Sequence, residues 1–400
     1  MLIPTAYRSL ESLIQNQRLA HQRVFLRADL NVPTANGVIQ SDYRLKALLP
    51  TLELLLKQQA TIIIATHIGR PTSPDPCLST AQLIPWFAQH GYTVTFAAHP
   101  EATRTASKTN KQQIIMLENL RFFPGEKNGD PFFARQLADL ADYYVCDSFA
   151  TLHRNDSSIA QVPYLFAADH RCIGLLVSKE LTELYNLMHK PKRPFVVLLG
   201  GGKIADKIPL LERLLDTVDV VLLGPAIVFS FAHALGLPTG SSLVDTASQK
   251  LCLALIEKAR SRNIKLLFPS DYYATYDSFT GPFEPMPIKA EQLQPGMVGI
   301  TIGPDTIDQY RKVLASAGSI LINGLMGDVN RPTTLLSSGT LFKAVAHNTT
   351  AVRIVGGGDS VAAVEQLGLQ TTIGHISTGG GSLLALLTNQ PVPGLQPFVD

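Results

Sequence analysis

Short apolar runs alternate with amphipathic stretches along almost the whole chain. RVFLR, TIIIATHIG, QIIMLEN and DYYVCDSF read as buried strands in the first half. PFVVLLGGG, DVVLLG, KLLFPSD, SILING, VRIVGGG and TIGHIST do so in the second. Between several of them apolar residues recur at helical spacing, as in RLKALLPTLELLLKQQ and DKIPLLERLLDTV. Strand–helix alternation of this kind predicts an α/β protein with parallel, doubly wound sheets. No repeat with a period of roughly 20–50 residues interrupts the pattern.

A helical pattern from about Leu175 to Met188 stops before Pro191 and Pro194, where proline ends a helix. It reads as a stiff connector between two lobes, or as an ordinary crossover helix inside one sheet. The run VVLLGPAIVFSFAHALG from Val220 invites comparison with a membrane span. At about 17 residues it is at the short limit for one, and Gly224-Pro225 breaks it, so strand, turn and helix are expected.

The 400 residues are 46% apolar with a net charge of +2, ample for two or three domains. So small a charge speaks against a general nucleic-acid or membrane surface. Any anion chemistry must come from local clusters. Cys77, Cys146, Cys172 and Cys252 are widely spaced, which predicts reduced, mostly buried thiols in a cytoplasmic protein and neither disulfides nor a zinc site. Charged residues in the first twenty-five positions speak against a signal peptide.

The halves differ in their chemistry. In the second, LLGGGKIADK, IVGGGDSVAAVEQLG and HISTGGGSLLALL place glycines between a strand and a helix. Such turns let backbone approach a ligand and present free helix N–H groups, which suits a polyphosphate. The first is not a Walker A loop, because Lys203 is followed by Ile204 and not by Ser or Thr. Lys203 and Lys207 share a helix face if the helix begins that early. Asp359 and Ser360 stand where a helix N-cap belongs, so capping explains them as well as Mg²⁺ binding beside a phosphate does.

The first half instead sets basic residues at strand ends: Arg44, His67 and Arg70 in THIGRP, Arg121 in LENLRFF and Arg154 in TLHRND. Arginine forks match phosphate and carboxylate geometry. The stretch VFLRADLNVP belongs with them. Its Arg27, Asp29 and Asn31 alternate, so period two puts them on one face of an extended segment. Arg27 is expected to pair internally, leaving Asp29 and Asn31 for hydroxyl and carboxylate groups. One lobe is thus shaped for a polyphosphate and the other for a small, multiply anionic molecule.

RADLNVP, THIGRP, LENLRF, DSFATLHR, GGGKIADK, TIGPDT, NGLMG, VGGGDS and STGGG, in this order, make the chain resemble phosphoglycerate kinases over nearly its whole length. The resemblance implies two Rossmann-like lobes with parallel sheets, joined by a helix across a hinged cleft. It places a phosphoglycerate lobe at 1–174, the connecting helix at 175–190, a nucleotide lobe at 191–388 and a tail at 389–400 returning to the first lobe. It implies reversible transfer of the acyl phosphate of 1,3-bisphosphoglycerate to ADP, giving 3-phosphoglycerate and ATP, with Mg²⁺, in a cytoplasmic monomer. Asp29, Leu30 and Asn31 would hold the glycerate, and Arg70, Arg121 and Arg154 its 3-phosphate, with His67, Ile68 and Gly69 beside them. Arg44, Lys203, Gly358 and Gly381 would serve the transfer, and Gly379 and Gly380 would adjoin it. Lys207, Asn330, Gly357, Gly358, Asp359 and Ser360 would take the nucleotide, with Asp359 at Mg²⁺. Closure of the cleft is expected only with both substrates bound.

Departures cluster in the nucleotide lobe. The family pattern WNGPMGVFE reads INGLMGDVN, so Asn330 stands where a glutamate usually accepts from the ribose hydroxyls. GPAIV replaces the usual GGGMA, and GGGSLLALL the usual GGGASLELL. Ala150 stands for glycine in DSFATLHR. These changes predict weaker or less selective nucleotide binding. A diverged paralogue that binds phosphorylated metabolites without transferring phosphate is a second reading. An NAD-dependent dehydrogenase, the third, lacks its GxGxxG turn and following acid.

Overall fold

The computed structural model describes residues 6–17, 19–35, 37–109, 113–201, 204–276, 285–327 and 332–399. The chain divides into two units, Met1–Thr182 with Asn389–Asp400, and Glu183–Thr388. The helix Leu175–His189 carries the chain from one to the other.

The first unit contains β1 (Arg23–Ala28), a short antiparallel hairpin of β2 (Thr34–Ala35) and β3 (Val38–Ile39), then β4 (Thr61–Ala65), β5 (Val94–Ala97), β6 (Ile114–Leu117), β7 (Tyr143–Asp147) and β8 (Arg171–Ile173). Apart from the hairpin these form one six-stranded sheet, ordered β5-β6-β4-β1-β7-β8. Every pairing in it is parallel. A parallel sheet is covered on both faces, so TIIIA of β4 is buried at every position. The helix Tyr43–Lys57 turns Leu45, Leu48, Leu52 and Leu55 into the core, where they meet Leu26, Ile64 and Val145. Truncating one such leucine to alanine costs about 2–5 kcal/mol. The last residues belong to this unit: Arg8 donates to the carbonyls of Pro397 (2.6 Å) and Val399 (3.1 Å), and Phe398 stacks on Tyr144.

The second unit contains β9 (Phe195–Leu199), β10 (Val220–Leu223), β11 (Lys265–Leu267), β12 (Asp271–Thr275), β13 (Met286–Lys289), β14 (Val298–Ile302), β15 (Ser319–Asn323), β16 (Val352–Gly356) and β17 (His375–Ile376). Its parallel sheet runs β11-β10-β9-β15-β16-β17, and β13-β12-β14 form a separate antiparallel sheet. The apolar run from Val220 becomes β10 and the helix Pro225–Ala234. Among the described residues no helix is long and apolar enough to cross a membrane. All four cysteines are free, and only Cys77 is exposed.

Two local expectations are corrected. The extended segment expected to carry Arg27, Asp29 and Asn31 on one face ends its strand at Ala28, so Asp29 and Asn31 lie in the loop beyond it. Arg44 sits in the first turn of a helix, not at the end of a strand.

Candidate functional site

Winding in the first sheet reverses at β1, with β4, β6 and β5 on one side and β7 and β8 on the other. In open α/β sheets ligands bind beyond the carboxyl ends of the strands at such a point. Arg27, next to last in β1, has its side chain wholly buried. Its Nε donates to Ser158 Oγ at 2.7 Å, one Nη to the carbonyl of Ala28 at 2.5 Å, and the other lies 3.9 Å from Glu126 Oε1. Glu126 in turn accepts from the Ser158 amide (3.0 Å) and hydroxyl (2.6 Å). Burial raises the Glu126 carboxyl, against the pull of Arg27 and Ser158. Internal pairing of Arg27 is therefore as the sequence led one to expect.

Beyond β1, Asp29 forms an ion pair with Arg44, and Asn31 Oδ1 accepts the Gly69 N–H at 2.8 Å. The Leu30 N–H is fixed by Thr66 Oγ1 at 2.9 Å. His67 follows β4 and is buried, its Nε2 3.0 Å from Arg154 Nη1. A guanidinium only donates, so Nε2 accepts and the ring proton is on Nδ1. Burial first, then the charges of Arg27, Arg121, Arg154 and Arg44, hold this imidazole well below the ordinary histidine range. At neutral pH it is an uncharged donor, and its Nδ1 has no hydrogen-bond partner.

Arg121 donates from Nη1 to the Gly69 carbonyl at 2.6 Å, and its buried Nε has no partner. Arg154 lies 3.9 Å from Asp156. Burial and neighbouring positive charge, including Arg70, lower both guanidiniums, which nonetheless stay protonated. Arg70 is exposed. Crowded cations with unmet N–H donors are relieved by a multiply charged anion, and a phosphate supplies both charge and acceptors.

In the second sheet winding reverses at β9, with β10 and β11 on one side and β15, β16 and β17 on the other. The loops leaving β9 and β15 touch through backbone: Gly200 N–H donates to the Asn323 carbonyl at 3.1 Å, and Gly201 N–H to that of Leu325 at 3.0 Å. Gly324 has φ +100°, and a Cβ there would overlap the Gly200 carbonyl, so only glycine allows this approach. Its N–H donates to the buried Ser360 Oγ at 2.8 Å. The helix Gly358–Gln366 has Gly357, φ +97°, as its N-cap with no side-chain cap. The capping expected of Asp359 and Ser360 is thus not what they do. Both lie in the first turn, Ser360 holding the β15 loop and Asp359 exposed.

Lys207, on the helix Ile204–Leu214, directs its ammonium to Asn323 Oδ1 and, at 3.3 Å, to the Asn323 carbonyl. Gly379 follows Ser377, whose hydroxyl accepts the Gly379 N–H at 3.2 Å, and Gly381 opens the helix Gly381–Leu387. Lys203 and Asn330 lie outside the described residues.

Sequence reasoning passed over Asn119, Glu126, Ser158 and Asn323, which tie these loops together. Asn323 had a visible sign, an amide closing an apolar strand.

A family model described as phosphoglycerate kinase matches residues 14–390. The chain is 37% identical to the cytosolic phosphoglycerate kinase of Nicotiana tabacum over 390 residues, 96% of each chain. It is 38% identical to the phosphoglycerate kinase of Chlorobium phaeovibrioides over 388 residues, 95% of this chain and 97% of that one. Among solved structures it is similar to the phosphoglycerate kinase from Coxiella burnetii, with a TM-score of 0.81, 31% identity and 98% of each chain covered. That from Pyrococcus horikoshii OT3 aligns with a TM-score of 0.80 and 28% identity, covering 96% of this chain and 97% of that one.

Proposed function

The chain belongs to the phosphoglycerate kinase family, and we propose that its two units divide the two substrates of that reaction between them. Its activity is reversible transfer of the acyl phosphate of 1,3-bisphosphoglycerate to ADP, giving 3-phosphoglycerate and ATP, a step of glycolysis. The first unit takes the phosphoglycerate. Arg70, Arg121 and Arg154 grip the 3-phosphate, His67 donates from Nδ1, and Asp29, Leu30, Asn31, Ile68 and Gly69 frame the glycerate. What carries this reading is the cluster itself: half-buried Arg121 and Arg154 crowded around a buried neutral His67, with the His67 Nδ1 and Arg121 Nε donors lacking partners.

The second unit takes the nucleotide. Lys207, Gly357, Gly358 and Ser360 serve its phosphates and Asn330 its ribose. Mg²⁺ accompanies the nucleotide and, when bound, neutralises phosphate charge. The exposed carboxylate of Asp359, a hard oxygen donor in the first turn of the glycine-flanked helix, suits it. The enzyme works as a monomer in the cytoplasm.

In the ATP-consuming direction the nucleophile is a carboxylate, ionised at neutral pH with a reference pKa near ~3.5. No proton has to be removed, so positioning and charge neutralisation carry the rate. Arg44, Lys203 and the helix starts at Gly358 and Gly381 supply that neutralisation. The test is ATP formation from enzymatically generated 1,3-bisphosphoglycerate with ADP, with GDP and without nucleotide. ATP formation dependent on ADP supports the reading; none at any nucleotide concentration removes it in favour of a binding paralogue.

A further inference from the structure

We propose that Asn119 is a positioning residue for phosphoglycerate: one buried amide that fixes the loop after β4 against the loop after β6 and thereby sets the basic cluster. The inference rests on the reading of the first unit as the phosphoglycerate side.

A primary amide offers one oxygen, able to accept twice, and two N–H donors. Asn119 is fully buried and uses all of them. Its Oδ1 accepts from the Ile68 N–H (3.2 Å) and the Arg121 N–H (3.0 Å), and its Nδ2 donates to the carbonyls of Ile68 and Leu78, each at 2.8 Å. Both polar groups of Ile68 are thus held by one side chain. The next residue is clamped as well, the Gly69 N–H by Asn31 and the Gly69 carbonyl by Arg121.

His67 and Arg70 flank the Ile68–Gly69 pair in the chain, and Arg121 is held at both ends, by Asn119 at its backbone and by Gly69 at its head. Asn119 is therefore the one described side chain that links the backbone of Arg121 to the loop carrying His67 and Arg70. An aspartate has the same shape but no donors for the two carbonyls. A serine keeps a cap for the Arg121 N–H and is too short to span to Ile68 and Leu78.

Initial rates in the ATP-consuming direction are measured for the unsubstituted enzyme, Asn119→Ala and Asn119→Ser, varying each substrate, with folding followed by Trp86 fluorescence. Misplacing a binding group by an ångström costs on the order of 10²-fold, so the KM for 3-phosphoglycerate should rise roughly ten- to hundredfold. The KM for ATP should stay within about twofold, a split that general loss of stability does not produce. The serine variant should remain defective. An unchanged phosphoglycerate KM in Asn119→Ser, a parallel rise of both KM values, or failure of both variants to fold would each overturn the proposal. An unsubstituted enzyme that does not phosphorylate 3-phosphoglycerate removes the reading of the first unit together with the proposal. An active enzyme with unaffected variants removes the proposal alone.

Discussion

Both units gather their candidate groups beyond the strands where a six-stranded parallel sheet reverses its winding, at β1 in one and β9 in the other. They differ in what they put there. The first uses side-chain charge, and the charges act on one another: after burial itself, Arg154, Arg27 and Arg70 lower Arg121, Arg27 and Arg70 lower Arg154, and His67 is driven neutral. Glu126 and Asp29 stand behind as counter-charges. The second uses backbone, with φ +100° at Gly324 and +97° at Gly357 and loops that close on one another through main-chain hydrogen bonds. Charge selects an anion of fixed valence and geometry. A glycine-flanked helix start, as at Gly358, is the kind of backbone that suits a phosphate without adding a cation. A neutral amide, Asn119 or Asn323, organises the loops in each case.

The comparison breaks most sharply at Lys203, the lysine that follows the second unit's first glycine cluster in the sequence. Removing a preorganised donor of this sort costs ~10²–10³ in kcat. We expect Lys203→Ala to lose that much turnover with the KM for 3-phosphoglycerate unchanged. Steady-state rates at saturating substrates decide it. Turnover within a few-fold of normal would remove Lys203 from the transfer step.

Arg154→Ala probes the other side. It removes the partner of His67 Nε2 and, on the proposed reading, a charged contact to the phosphate. Hydrogen bonds to charged groups are worth about 1.5–3 kcal/mol, so the KM for 3-phosphoglycerate should rise roughly ten- to hundredfold. The KM for ATP should not move. If it rises as much, the division of substrates between the units is wrong.

The sheets were legible because parallel strands are buried on both faces and so leave long apolar runs, as in TIIIA and FVVLL. β5 and β8 were missed. β5 is an edge strand with three of its four residues not fully buried, and β8 spans three residues. The antiparallel β12–β14 sheet mixes polar and apolar positions and gave no run to notice. Within the site the arginines and glycines were visible because their chemistry is local to a motif. Asn119 was not, since its partners Ile68 and Leu78 are 51 and 41 residues away. Ser360 misled for a related reason: a cap is decided by local backbone, whereas its hydroxyl is engaged by Gly324, 36 residues distant.

A smaller effect separates the units by pH. Burial pushes the Asp147 carboxyl up to about 7, against hydrogen bonds from Thr51 and the N–H groups of Val177 and Leu176 at the start of the connecting helix. The folded form keeps a proton that the unfolded chain releases near ~3.9. Its contribution to stability is therefore complete below that value and is lost as pH rises to about 7, at up to roughly 1.4 kcal/mol per pH unit. His67, held low, tilts the other way below its ordinary value, so the difference from Asp147→Asn isolates the carboxyl. Trp86, the chain's single tryptophan, lies in the first unit and reports its urea unfolding. Parallel pH profiles for the two proteins would show that Asp147 does not titrate in the fold.

The smallest effect concerns Asn330, where the family pattern has glutamate. A carboxylate accepts from two ribose hydroxyls with full charge, whereas an amide offers one neutral oxygen. The difference between a charged and a neutral acceptor is about 1 kcal/mol, so Asn330→Glu should bind ADP roughly fivefold more tightly. Calorimetry with ADP and with 2′-deoxy-ADP distinguishes a ribose contact from a general change of charge. Removing the hydroxyl should cost the glutamate variant more than the natural chain and bring the two affinities together. A carboxylate near the phosphates would instead weaken both nucleotides alike. Equal ADP affinity in the two proteins would mean that the second unit holds its ligand by the phosphates alone, which would carry the contrast with the arginine-lined first unit further still.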